Sequence, residues 1–197
     1  MSIIRTLAGF RLKIRLLFHV YYFRHHQNRE LLLEDIHHWQ NIKHWNFPEE
    51  ESFIKLILTY PEFRNIFYYR INYNRFGLLN RLFPQDPTLY IWTPQIGGGL
   101  FIQHGFATVV AAKKIGINCH INQQVTVGHT SDVDCPIIGD NVTITSGAKV
   151  LGNITVGNNV TIGANAVVIK SVPENCVVVG VPAYIVKRNG KRVNEKL

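Results

Sequence analysis

Two hydrophobic rhythms divide this chain. Through residues 1–83 the apolar positions recur at mixed three- and four-residue spacings. Ile3-Ile4, Leu7, Phe10, Leu12, Ile14 and Leu16-Leu17 do so with basic residues between them, and similar spacings return over Leu31–Trp39 and Phe53–Leu79. Spacings near 3.6 predict helices. Pro48 followed by Glu49, Glu50 and Glu51 predicts a helix start, since proline suits the first turn and acids favour its dipole. Pro61 predicts an end or kink of the helix before it. Pro84, Asp86 and Pro87 close the helical half.

After residue 95 the period changes. Ile138, Ile144, Val150, Val156, Ile162 and Val168 lie six apart, and Val142, Ala148, Ile154, Val160 and Ala166 each follow by four. Ile115, Ile121 and Val127 keep the same step, and Ile96 and Ile102 start another. A helix repeats near 3.6 and a strand at 2, so a strict six fits neither alone. It fits short strands joined by tight turns, with asparagine or glycine where φ becomes positive, as at Asn141, Asn153 and Asn158-Asn159. Three hexads make one triangular coil, which predicts a parallel β-helix of hexapeptide repeats. An ordinary β-sandwich is the competing reading, but aliphatics held in one phase leave no room for hairpin registers.

Breaks in the phase mark candidate function. Val127 to Ile138 is eleven residues, so about five extra residues leave the coil as a loop, and loops extruded from a rigid scaffold carry function. Ile102 to Ile115 is thirteen instead of twelve, placing one extra residue near His104 in the run GLFIQHGFATVV. A lone histidine among apolar residues is by default a satisfied structural ring. Its phase, the glycine after it and the neighbouring loop argue instead for a proton-transfer group.

Composition narrows the partners. The 197 residues are 46% hydrophobic and 17% charged, which marks a globular chain. The net charge of +8 belongs to the ends: residues 1–29 hold Arg5, Arg11, Lys13, Arg15, Arg24 and Arg29 and no acid, while charges cancel between 96 and 182. A central nucleic-acid surface is therefore not expected. Residues 1–29 are a candidate for peripheral membrane contact, against the alternative that these helices pack on one another. No transmembrane run or secretory signal is read. Cys119, Cys135 and Cys176 form no metal or disulfide spacing, so a reducing cytoplasm and no metal are expected. The histidine pairs His25-His26 and His37-His38 read as helix surface.

These residues resemble a known family. IGGGLFIQHG (96–105), GAKVLGNITVGNNVTIGANAVV (147–168) and VPENCVVVGVPA (172–183), preceded by YPEFRNIFYYRI (60–71), are similar to the serine acetyltransferase branch of the hexapeptide-repeat acyltransferases. The resemblance implies an α+β fold, with an N-terminal helical region (1–87) and a left-handed parallel β-helix (88–186). The extruded loop is 128–137, and a basic C-terminal tail covers 187–197. It implies a homotrimer, or trimers paired into hexamers, with acetyl-CoA in the groove between adjacent coils. His104 matches the family's general base. Thr130, Ser146, Gly147, Gly163 and Ala164 match positions where small residues admit the pantetheine arm, with Lys187, Arg188 and Lys170 as candidates to meet the phosphates near the C-terminus.

Departures from the family concern the acceptor. Gln103 stands where an aspartate precedes the base, Asp134-Cys135-Pro136 where the loop carries Arg-His-Pro, and Phe47-Pro48 where an Asp-Pro occurs. Tyr90–Gln95 supplies no aspartate to orient the base. Gln103, His129, Asp134 and Cys135 are the candidate acceptor contacts. Losing a cationic partner costs a buried carboxylate about 2–5 kcal/mol. The expectation is therefore an O-acetyltransferase acting on a neutral hydroxyl, a sugar of a surface polysaccharide or its precursor. A serine O-acetyltransferase of cysteine biosynthesis and an inactive β-helix scaffold stand beside it as alternatives.

Overall fold

The computed structural model describes residues 3–73, 77–131 and 134–197, with side chains in the first helix from Ile14 onward. The side chains of Arg5, Arg11 and Lys13 and the loop residues Asp132 and Val133 thus lie outside the described residues. The chain forms two compact units, Met1–Gln85 and Asp86–Leu197.

The first unit holds α1 (Ile3–His25), α2 (Arg29–Lys43), α3 (Glu49–Thr59), α4 (Pro61–Arg70) and α5 (Leu78–Leu82). Pro48 sits at the N-cap of α3, with Glu49, Glu50 and Glu51 in the first turn, and Pro61 opens α4 directly after α3 ends. Aromatic side chains fill the core: Phe23 and Phe53 stack with centroids 4.5 Å apart, and Phe53 meets Phe67 edge-on at 5.1 Å. One ion pair is buried there. Arg70 donates from Nε to Asp35 Oδ2 at 2.8 Å and from Nη2 to Asp35 Oδ1 at 3.0 Å. Removing either partner would strand a charge, at a cost of about 3–5 kcal/mol.

In the second unit the six-residue step becomes a coil. After β1 (Leu89–Ile91), one turn comprises β2 (Phe101–Gln103), β3 (Thr108–Val110) and β4 (Lys114–Ile115). The next has β5 (His120–Asn122), β6 (Thr126–Gly128) and β7 (Ile137–Ile138), and the third β8 (Thr143–Ile144), β9 (Lys149–Leu151) and β10 (Thr155–Val156). Then β11 (Thr161–Ile162) and β12 (Val167–Val168) lead through a bridge at Val172 to β13 (Cys176–Val179). Every third strand stacks in parallel, so the coil has three faces: β1-β3-β6-β9-β12, β4-β7-β10 and β2-β5-β8-β11-β13.

Each leading aliphatic points inward on its face. Ile102, Ile121, Ile144, Ile162 and Val178 form one buried column; Val110, Val127, Val150 and Val168 form the second, and Ile115, Ile138 and Val156 the third. The small residues four positions later, Val142, Ala148, Ile154, Val160 and Ala166, close the corners and are also buried. One corner is held by an asparagine ladder. Asn118, Asn141, Asn159 and Asn175 all have φ between 54° and 57°, and each amide donates to the next asparagine's Oδ1 at 3.0–3.2 Å. Asparagine tolerates this left-handed region because its short side chain hydrogen-bonds locally.

The segment expected as a basic tail from 187 is structured. β14 (Tyr184–Arg188) and β15 (Lys191–Lys196) form an antiparallel hairpin added to the edge of β13. Arg188 donates to Glu195 across it at 2.6 and 3.0 Å, so its guanidinium is committed to the hairpin.

Candidate active site

The candidate residues divide between two corners of the coil. His104 lies at the corner between β2 and β3, immediately after Gln103, with φ 55° and an exposed side chain. From inward Ile102 to inward Val110 is eight residues, whereas Ile121 to Val127 and Ile144 to Val150 take six. Two extra residues therefore swell this corner. The next corner, from Val110 to Ile115, is one residue short. A count over the whole turn shows only the difference, which is why the sequence suggested a single insertion. The swelling carries His104 out of the apolar column, so it is not a buried structural ring.

Beneath His104 the same corner repeats in later coils. Gln124 donates its backbone N–H to Phe106 O at 3.0 Å, Gly147 to Gln123 O at 3.0 Å, and Asn165 to Ser146 O at 2.9 Å. His104, Ser146, Gly147, Gly163 and Ala164 thus share one edge of the coil. Ala164 is exposed and Ser146 half-buried. The two glycines serve the coil as well. A side chain on Gly147, at φ 74°, would meet Asn165 Oδ1, and one on Gly163 would lie 2.7 Å from Val179 Cγ1. Space there is taken by the neighbouring coil, so the absence of a side chain is not by itself a sign of a ligand.

The basic candidates stand apart from that edge. Lys170 follows β12 at a different corner and donates from Nζ to Leu197 O at 2.8 Å. It lines a cavity of about 600 Å³ with Ile169, Pro182, Ala183, Tyr184 and Lys196. Lys187 is exposed on β14 and borders a separate cavity of about 570 Å³ with Val177 and Arg192.

The extruded loop leaves the coil after β6 and returns at β7, one corner away from His104. A strand of three residues, about 10 Å long, separates the two corners on the face they share. Asp134 closes the loop on itself. Its Oδ1 accepts the backbone N–H groups of Thr130 and Ser131, each at 2.8 Å, and its Oδ2 accepts the Thr130 hydroxyl. The Thr130 hydroxyl and the Ser131 N–H hold this carboxyl well below its ordinary range, at about 2. Asp134 and Thr130, expected to face acceptor and cofactor, are thus bonded to each other. His129 is exposed and rests against Cys135, whose Sγ lies 3.4 Å from Nδ1 and 3.5 Å from Nε2. Near-equal distances to both nitrogens place sulfur over the ring face, not in line with a proton.

Two contacts went unread in the sequence. Ser131 is a donor to the Asp134 clamp, and the spacing Thr-Ser-x-x-Asp carries that signal, since short polar side chains bond backbone a few residues away. Lys149 sits on the outer side of β9 and donates to Gln124 O at 2.6 Å and Thr126 Oγ1 at 3.1 Å. Nothing in a single lysine's sequence context announces such a strut.

Known proteins resemble this arrangement. The bacterial transferase hexapeptide family (six repeats) matches residues 135–170. A serine acetyltransferase of Staphylococcus xylosus is 51% identical over 105 residues, covering 51% of this chain and 49% of that protein, so the match spans about half of that relative's length. A serine acetyltransferase of Bacillus pumilus (strain SAFR-032) is 36% identical over 163 residues, 76% of this chain and 75% of that protein. Among solved structures, a serine acetyltransferase in complex with CoA aligns with a TM-score of 0.63 and 31% identity over 84% of this chain and 72% of that one.

These relatives overturn the sugar hydroxyl expected as acceptor, and surface-polysaccharide synthesis with it; they favour the serine alternative. The physical reason lies in the loop. The sequence argument rested on the loop lacking the family's Arg-His-Pro, and Asp134, which stands in its place, is bonded to Thr130 and Ser131 of its own loop. The left-handed β-helix and the helical region before it are those of the matched structures. By its hexapeptide coil and by its likeness to the Bacillus pumilus protein along three quarters of both chains, this chain belongs to the serine acetyltransferase family.

Proposed function

We propose that the protein is a serine O-acetyltransferase, moving the acetyl group of acetyl-CoA to the hydroxyl of L-serine. The observation that carries the reading is the position of His104: an exposed imidazole on a swollen corner, at the head of the edge formed by Ser146, Gly147, Gly163 and Ala164. Serine as the acceptor is inferred from the family.

A serine hydroxyl does not attack a thioester at neutral pH while it keeps its proton. A ring nitrogen of His104 accepts that proton as the hydroxyl oxygen bonds to the acetyl carbon. The carbon–sulfur bond then breaks, and the proton passes from the imidazolium to the departing CoA sulfur. Attack is direct, so no side chain of the protein is acylated and no cysteine nucleophile is required. Acetyl-CoA supplies the activated acyl group, with its pantetheine arm along the edge below His104. Lys170 and Lys187 are the candidate cations for its phosphates.

Gln103 at the end of β2, with the loop residues His129 and Cys135, completes the acceptor side. His129 sits one corner away from His104 within a protomer, so the reading includes a homotrimer in which one copy's loop faces the neighbouring copy's His104. His129 then offers a ring N–H to the serine carboxylate. Replacing His104 with alanine tests the assignment. The rate should fall at least about a hundredfold while the circular dichroism spectrum stays unchanged, and a near-normal rate would remove His104 as the base.

A further inference from the structure

The helix α1 is apolar on two faces, and the described protein covers one of them. Leu16, His19 and Phe23 are buried in the helical unit. Ile14, Leu17, Phe18 and Tyr21 instead remain 47%, 62%, 52% and 60% exposed. Their spacing of three, four and seven residues places them on one stripe of the helix. Four large side chains half in water make a contiguous patch of roughly 400 Å², at the size where exposed apolar surface marks an interaction site. In sequence Phe10, Leu7 and Ile3 continue the same three-four spacing.

Charge decides what covers the stripe. The chain has no acid before Glu30, while Arg5, Arg11, Lys13, Arg15 and Arg24 fall within α1. Arg24 is paired with Glu50 at 2.7 Å, and Arg15 donates to Leu82 O and lies over the Phe83 ring at 5.0 Å. The remaining basic residues, Arg5, Arg11 and Lys13, precede the stripe without an acid among them. Two copies meeting through this segment would bring like charges together. An anionic lipid surface accepts both features, apolar side chains below the headgroups and cations among them. Among the described residues no helix is long and apolar enough to cross a membrane, so α1 would lie on the surface.

We propose that the Ile14–Leu17–Phe18–Tyr21 stripe docks the protein on an anionic lipid surface. Co-sedimentation of the full chain with vesicles of phosphatidylcholine and phosphatidylserine in equal amounts, and of phosphatidylcholine alone, tests it. The wild type should bind the mixed vesicles, bind phosphatidylcholine at least about tenfold less, and lose the difference in high salt. L17D/F18D should weaken binding to the mixed vesicles at least about tenfold, with an unchanged melting temperature and unchanged acetyl transfer in free solution. Absence of wild-type binding, or equal binding by the double variant, would overturn the proposal. So would light scattering in which the double variant, without vesicles, falls to a smaller assembly than the wild type, because the stripe would then be covered by a second copy.

Discussion

Asp134 accepts the backbone N–H of Thr130 at 2.8 Å while the Thr130 hydroxyl donates to the same carboxylate. This pair, with the Ser131 N–H, closes the one segment that leaves the coil between β6 and β7. The clamp ties Thr130 and Ser131, which follow His129, to Asp134, which precedes Cys135. Asp134→Asn keeps the shape but weakens charge-assisted bonds, and should lower kcat/KM for serine by about tenfold, more through KM than through kcat. Because the folded carboxyl lies at about 2, below its ordinary value near 4, the clamp is intact above that ordinary value and is lost as pH falls through about 2. A carbon-detected NMR titration of Asp134 reads the midpoint directly.

His19 makes the helical unit sensitive to mild acid. Its Nε2 lies 2.9 Å from the Tyr68 hydroxyl, which is also 2.9 Å from the carbonyls of Leu79 and Phe83. Burial lowers this histidine from 6.5 to about 4. The unfolded chain therefore binds the proton more readily between those values. Stability is full above about 6.5 and declines toward about 4, by up to about 3 kcal/mol. Chemical denaturation at pH 7 and pH 5 should show the loss in the wild type and a smaller one in His19→Gln.

Gly147 separates a structural need from a ligand contact. Its φ of 74° and the position of Asn165 Oδ1 both exclude a side chain. Gly147→Ala should lower stability by about 1–3 kcal/mol, seen as a lower melting temperature without acetyl-CoA. A variant that melts normally and loses only affinity for acetyl-CoA would assign the glycine to the ligand.

Much of the coil was legible because one residue type repeats for one reason. Ile138, Ile144 and Val150 are each drawn inward on a different face, so burial writes the period of six into the sequence. The five-residue excess before Ile138 announced the loop for the same reason. The His104 corner was misread because its two extra residues are offset by a short corner after Val110. The acceptor was misread because the absence of the family's Arg-His-Pro was equated with the absence of serine binding. That Asp134 is bonded to Thr130 and Ser131 of its own loop is visible only in the structure. Residues 1–29 were legible as a basic, apolar segment, but which of their apolar side chains stay outside, Ile14, Leu17, Phe18 and Tyr21, was not, because inner and outer ones are alike in sequence.

The account turns on the acceptor. Steady-state acetyl transfer from acetyl-CoA to L-serine, followed by free-thiol release and by the mass of the product, tests it most directly. Thiol release that saturates with L-serine, yields O-acetylserine in equal amount and falls at least about a hundredfold in His104→Ala is the predicted result. Thiol release that does not depend on serine, or no O-acetylserine from the wild type, would contradict it.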